Sequence, residues 1–225
     1  RTAEIEHPSV RECLRFMKVR RGVEIHYDGD LPARTGLGSS SSFTVGLLHT
    51  LYALKGTMAT KKQLALDAIQ IEQDILRESV GCQDQTFAAF GGLNLIRFGG
   101  ADKIQLQPVT LPASRLRAFQ KHLMLFFTGF SRYASEVAAE QIKETPNKRR
   151  ELKSMRGMVD EGLRILNSNA DLSDIGKLLH ENWMIKRTLS SKISTSPIDE
   201  IYEAAQEAGA IGAKLLGAGG GGFVL

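Results

Sequence analysis

Apolar residues between positions 40 and 55 recur on most sides of a helix. Phe43, Leu47, Leu51 and Leu54 form one stripe, and Val45, Leu48 and Tyr52 a second. That pattern predicts a helix buried on most of its surface. A second helix is predicted over about 60–78, where Leu64, Ala68, Ile71 and Ile75 keep step. Before them, "GVEIHYDGDLP" alternates Val23, Ile25 and Tyr27 with polar residues, which predicts a strand; residues 1–21 read as charged and irregular. "GCQDQTFAAFGG" predicts a turn and a short helix, and "LNLIRF" and "KIQLQPV" two strands. "HLMLFFTGF" predicts a buried strand, followed by helices over about 133–144, 147–168 and 171–190. "SPIDEIYEAAQEAG" predicts one more helix, with Ser196 as N-cap before Pro197. "AIGAKLLGAGGGGFVL" reads as strand, glycine loop, strand. The pattern shifts from sheet-rich to helix-rich near 111–121, and the last predicted strand runs to Leu225, which suggests a piece of a longer protein.

Composition adds bounds. The 225 residues are 42% hydrophobic and 24% charged, an ordinary globular balance, and 29 basic against 25 acidic residues leave a net charge of +4. That mild excess suits an anionic ligand without pointing to nucleic acid. "LRFMKVRRG" lacks the second basic cluster and the aromatic platform that an RNA-binding surface needs, so a solvated face is the reading taken. Two unclustered cysteines, Cys13 and Cys82, give neither a disulfide framework nor zinc spacing, and a reducing cytoplasm is expected. No apolar run approaches a membrane span, so no membrane partner is expected.

The chemistry concentrates at "LPARTGLGSSSSF", 31–43, which sets two glycines and four serines before the first long apolar helix. Glycines let successive backbone N–H groups point into one concavity, and a helix N-terminus adds unsatisfied donors and partial positive charge. Together these make an anion site, most often for phosphate. The stretch lacks the lysine of a Walker A loop and is not G-x-G-x-x-G. A flexible turn with a capped helix also fits, although one cap needs only one serine. Three other features stand open on the residues alone. Glu72, within the second helix, is an acidic metal partner or a solvated surface glutamate; Asp84 in "GCQDQ" is a reactive carboxylate or a helix N-cap; and "GAGGGG", 217–222, is a close-approach loop or a tight hairpin.

Pro32-x-x-x-Gly36-Leu37-Gly38-Ser39-Ser40-Ser41-Ser42 resembles the phosphate-binding motif of the GHMP kinases, and "KLLGAGGGGFVL", 214–225, resembles that family's glycine-rich third motif. The two occur in the family's order, and the resemblance covers nearly the whole chain. It implies an α+β, two-domain fold, with a sheet-rich N-terminal ATP-binding domain over 1–112, a helix-rich C-terminal domain over 113–225 and the active site between them. Both domains would be incomplete at the chain's outer ends, and the family's first motif is not found here. ATP and Mg2+ are the implied cofactors.

The resemblance also implies roles. Pro32 and Gly36 to Ser42 would cradle the nucleotide phosphates. Ser40, with Ser39 next, and Glu72 would hold magnesium. Asp84 would be the catalytic base, in keeping with a helix glutamate about a dozen residues before the catalytic aspartate. Gln83 and Gln85 flank Asp84 and would bind sugar hydroxyls, and Gly217, Gly219, Gly220 and Gly221 would approach the substrate. A sugar phosphate needs a second anion site, for which Arg34, Arg132 and the pair Lys186 and Arg187 are the candidates, Arg132 first. The expected function is ATP-dependent phosphorylation of the anomeric hydroxyl of a small-molecule sugar phosphate, D-glycero-D-manno-heptose 7-phosphate first. Fucose is the rival substrate, and a non-catalytic sugar or nucleotide sensor the rival class. A homodimer is the one assembly considered.

Overall fold

The computed structural model of the chain describes residues 2–30, 35–99, 103–130 and 134–225. These fall into two compact units: the chain up to Val109, and Thr110–Leu225 together with residues 35–37. Pro32, Arg34 and Arg132 lie outside the described residues.

In the first unit, helix α1 (Pro8–Phe16) stands where irregular chain was expected. Pro8 presets the first turn, His7 accepts from the Val10 N–H, and Cys13, Leu14 and Met17 bury one face. Helix α2 (Ser39–Leu54) follows the glycine loop, and α3 (Lys61–Ile69) starts at a Thr60 cap whose hydroxyl accepts from the Gln63 N–H at 3.1 Å. The second predicted helix continues beyond α3 as a π-helical turn, Gln70–Ile75. Helix α4 (Gln83–Phe90) and the antiparallel pair β1 (Asn94–Phe98) and β2 (Ile104–Pro108) complete the unit. Its core joins Cys13, Leu14, Val45, Leu48, Leu51, Leu64, Ala68 and Ile71, so α2 is covered on several sides, as its stripes predict.

The strand expected over 22–32 does not form over its described part, 22–30: Val23, Ile25 and Tyr27 are exposed, and no ladder pairs with them. Alternation specifies a strand only where a neighbouring strand takes up its hydrogen bonds.

The second unit carries α5 (Ala113–Lys121), α6 (Ala134–Glu144), α7 (Arg149–Leu166), α8 (Ser173–Lys186) and α9 (Ser196–Glu207). Its sheet pairs β3 (Phe126–Phe127) with β4 (Phe223–Val224), and Leu215 bridges to Val224. The "HLMLFFTGF" strand is therefore short and not buried: Met124, Leu125, Phe126 and Phe127 are exposed, because a two-stranded sheet covers them on too little of their surface. Helix α5 was not anticipated. Its Arg115 donates to the Ile165 and Ala170 carbonyls at 2.7 Å, satisfying one acceptor at the end of α7 and one in the loop that follows it. The cap of α9 falls on Thr195 rather than Ser196, which with Pro197 opens the first turn; Ser194 donates to Asp199 at 2.6 Å. Trp183, Ile193, Ile198, Leu215 and Val224 form the core. The class is α+β, with sheet the smaller part of each unit.

Candidate active site

Helix α2 begins at Gly38, whose φ of 72° is left-handed. No side chain caps this end; the first intrahelical bond runs from the Ser42 N–H to the Gly38 carbonyl at 2.9 Å. The preceding N–H groups of the serine run have no acceptor among the described residues, which leaves an electropositive helix end. The four serines differ. Ser41 is buried, Ser39 half-buried, and Ser40 and Ser42 exposed.

Ser41 donates from Oγ to Glu72 Oε2 at 2.8 Å, and Gln85 Nε2 donates to the same oxygen. Glu72 is only 1% exposed, so the solvated alternative is ruled out. The π-helical turn carries it, and its other oxygen, Oε1, has no hydrogen-bond partner among the described residues. Burial pushes its pKa up, against the hydrogen bonds of Ser41 and Gln85, and the negative charge of Asp84 pushes the same way. A buried carboxylate oxygen without a donor, beside hydroxyls, suits a hard divalent cation that keeps part of its water shell. No group of three or more histidine, cysteine, aspartate or glutamate side chains is placed to hold a metal ion among the described residues. Magnesium here would therefore rest on one carboxylate, a hydroxyl, water and phosphate oxygens.

Asp84 lies in the first turn of α4, two residues after the Cys82 cap, so it is not the N-cap of that helix. Its carboxyl presses against Gly38: a Cβ on Gly38 would stand 3.1 Å from Asp84 Cγ. Asp84 is exposed as a residue, while partial desolvation of its carboxyl pushes its pKa up. Gln83 is exposed, whereas Gln85 is fully buried and holds Glu72 instead of facing a ligand. Sequence reasoning gave Ser41 to the phosphate cradle and Gln85 to the sugar, and missed that both hold Glu72. A signal was present, since Ser41 and Thr44 share a helix face with Val45 and Leu48, the stripe that α2 buries.

In the second unit, the glycine loop joins Leu215 to β4. Gly217, Gly219, Gly220, Gly221 and Gly222 all have positive φ, and a Cβ on Gly219 would come within 2.6 Å of Ile193 Cα. The beginning of the phosphate loop packs here: a Cβ on Gly36 would lie 3.2 Å from the Leu216 carbonyl oxygen. Leu37 belongs to the same stretch. Lys186, a candidate for the second anion site, instead donates to the Leu215 and Gly217 carbonyls at 2.8 and 2.6 Å, and Arg187 pairs with Asp199 at 2.8 Å.

Residues 8–92 match the N terminal domain of GHMP kinases, and residues 164–225 match the GHMP kinases C terminal domain. The chain is 26% identical over 211 residues to the D-glycero-alpha-D-manno-heptose 7-phosphate kinase of Campylobacter jejuni, covering 93% of this chain and 62% of that protein. It is 30% identical over 211 residues to the mevalonate kinase of Pyrococcus horikoshii, covering 90% of this chain and 58% of that protein. The chain thus spans about three fifths of the length of these relatives. A D-glycero-D-manno-heptose 1-phosphate kinase structure from Bacteroides thetaiotaomicron shares the fold, with a TM-score of 0.62 at 22% identity over 96% of this chain and 61% of that one.

Proposed function

We propose that this chain, which belongs to the GHMP kinase family, takes part in ATP-dependent phosphoryl transfer to the anomeric hydroxyl of a sugar phosphate, with D-glycero-D-manno-heptose 7-phosphate as the substrate and the 1,7-bisphosphate as the product. The observation that carries the reading is the packing of the Asp84 carboxyl against Gly38 at the head of α2, within the unit that also holds the buried Glu72. Phosphoryl transfer needs a phosphate cradle, charge neutralisation and a group that takes the hydroxyl proton. One compact unit has a residue for each.

The N–H groups from Gly38 to Ser41 bind phosphate oxygens at the positive end of α2. Asp84 accepts the proton of the sugar hydroxyl; its raised pKa makes it a stronger base than an ordinary aspartate. Glu72 and the exposed Ser40 hydroxyl hold magnesium, with Ser41 and Gln85 fixing the Glu72 carboxylate. Magnesium, when bound, neutralises phosphate charge. Gly217, Gly219 and Gly221 receive a phosphoryl group through backbone donors, whereas the Gly220 N–H, expected to join them, is already taken by the Ile193 carbonyl at 2.8 Å. The heptose phosphate relative supports the choice of sugar, and the mevalonate kinase relative favours mevalonate as the second reading.

The test is ADP release by the full chain with ATP and Mg2+, against heptose 7-phosphate, fucose and mevalonate, with Asp84→Asn alongside. Turnover with the heptose phosphate that falls about 10²–10⁴-fold in Asp84→Asn supports both substrate and base. Turnover with fucose or mevalonate alone removes the heptose assignment. An Asp84→Asn variant with undiminished kcat removes the base.

A further inference from the structure

We infer that Lys186 is a positioning residue, which aims the glycine loop's N–H groups at a phosphoryl ligand by holding the loop's carbonyls from behind. This rests on the phosphotransferase reading and adds to it the residue that orients this loop. Lys186 ends α8 and is 7% exposed. Its ammonium donates to the Leu215 carbonyl at 2.8 Å and to the Gly217 carbonyl at 2.6 Å. Gln141, from α6, donates to the next carbonyl, that of Ala218. Thr128 Oγ1 donates to the Gly222 carbonyl at 2.9 Å at the loop's other end.

The donors of the same peptides are treated the opposite way. Among the described residues, nothing accepts from the N–H groups of Gly217, Ala218, Gly219 or Gly221, although Gly219 and Gly221 are buried. Buried N–H groups are almost always paired, so those of Gly219 and Gly221 ask for an acceptor, and the half-buried Ala218 and exposed Gly217 leave it a way in. Three successive donors, at 217, 218 and 219, form the backbone arrangement that takes an anion. The two carbonyls within that run are the ones held by Lys186 and Gln141, so neither is left to turn toward the anion and repel it. A lysine suits this task because one ammonium has three donors and reaches two carbonyls at once.

Amide resonances report the loop directly. The full chain, labelled with 15N, is titrated with pyrophosphate as wild type, Lys186→Met, Lys186→Gln and Lys177→Met. Lys177 is an exposed residue of the same helix, paired with Asp174, and controls for loss of charge. In the wild type the Gly217, Ala218, Gly219 and Gly221 amides are expected to shift saturably. Lys186→Met should weaken the affinity read at these four amides about tenfold or more. Lys186→Gln, which keeps a donor, should fall between, and Lys177→Met should match wild type. If Lys186→Met is too unstable for spectra, Lys186→Gln decides by the same reading. Lowered thermal stability with unchanged pyrophosphate affinity at the four amides would make Lys186 merely structural and overturn the inference. Shifts at Gly38–Ser41 alone would also overturn it and leave the kinase reading standing. No shift at any amide would overturn both.

Discussion

The two loops proposed to meet phosphate are built by different means. The serine run opens a sixteen-residue helix, and its free donors follow from the helix end itself: any α-helix leaves its first N–H groups unpaired. The loop at 217–222 opens no helix. Its unpaired donors, at 217, 218, 219 and 221, stand where five glycines at positive φ turn the backbone and where Lys186, Gln141 and Thr128 take the loop's carbonyls. The first device depends on local sequence. The second depends on residues dozens of positions away along the chain, so it is the more easily broken by packing defects.

One glycine from each loop sets that difference at its largest. A Cβ on Gly222, at φ 113°, would collide with the Thr35 carbonyl, where backbone meets backbone and neither can yield. Gly222→Ala is expected to cost more than about 4 kcal/mol, read as a collapsed urea midpoint. Gly38→Ala meets only the Asp84 side chain, with its nearest atom at 3.1 Å, so its cost is the left-handed backbone, about 1–2 kcal/mol. The protein should fold, but its turnover should drop because the carboxyl is pushed aside. Equal stabilities for the two variants would mean that the loops are equally local.

The same distinction marks what was legible in the chain. Helices α2, α3 and α4 and the 214–225 hairpin follow from periodicity, turn glycines and caps, which are local signals. Helix α1 is as local: Pro8 and the spacing of Val10, Cys13, Leu14 and Met17 are helical, and the charges of Arg11, Glu12 and Arg15 lie between those positions. The strand expected at 23–27 and the buried strand at 122–130 failed for the reverse reason, since a strand's fate lies with a partner that its own residues do not specify. Residue type and spacing left Glu72 and Asp84 open, and the roles expected of them came from the family resemblance. That Ser41 rather than Ser40 reaches Glu72, and that Lys186 serves carbonyls instead of an anion, depends on which face of a helix is turned inward; four serines in a row do not disclose it.

Asp84 sharpens the comparison through pH. Its folded pKa is raised, and the base must be ionised, so kcat should fall as pH drops through a value above the ordinary aspartate range. The same shift has a stability counterpart with a definite sign. A carboxyl whose folded pKa exceeds its unfolded one contributes stability below the unfolded pKa, and that contribution is lost as pH rises through the folded value. Asp84→Asn is therefore expected to be no less stable than wild type at neutral pH. A kcat profile and thermal melts over about pH 4 to 8 test both statements. An acid limb at or below the ordinary range, or an asparagine variant that melts lower at neutral pH, contradicts them.

The smallest effect separates two adjacent hydroxyls in the first loop. Ser41→Ala removes a donor from a buried carboxylate and should cost about 1–3 kcal/mol with or without magnesium. Ser40→Ala alters an exposed side chain, so its stability in the absence of metal should stay within about 0.5 kcal/mol of wild type. Magnesium then distinguishes structure from ligation. A cation bound only by the folded state raises the melting temperature as its concentration rises. Wild type should show that rise, and Ser40→Ala should show less of it from an unchanged starting point. Ser41→Ala should start lower, because Glu72 has lost part of its support. If Ser40→Ala responds to magnesium as wild type does, Ser40 is not a ligand, and the metal-binding half of the serine run reduces to the hydroxyl that already holds Glu72.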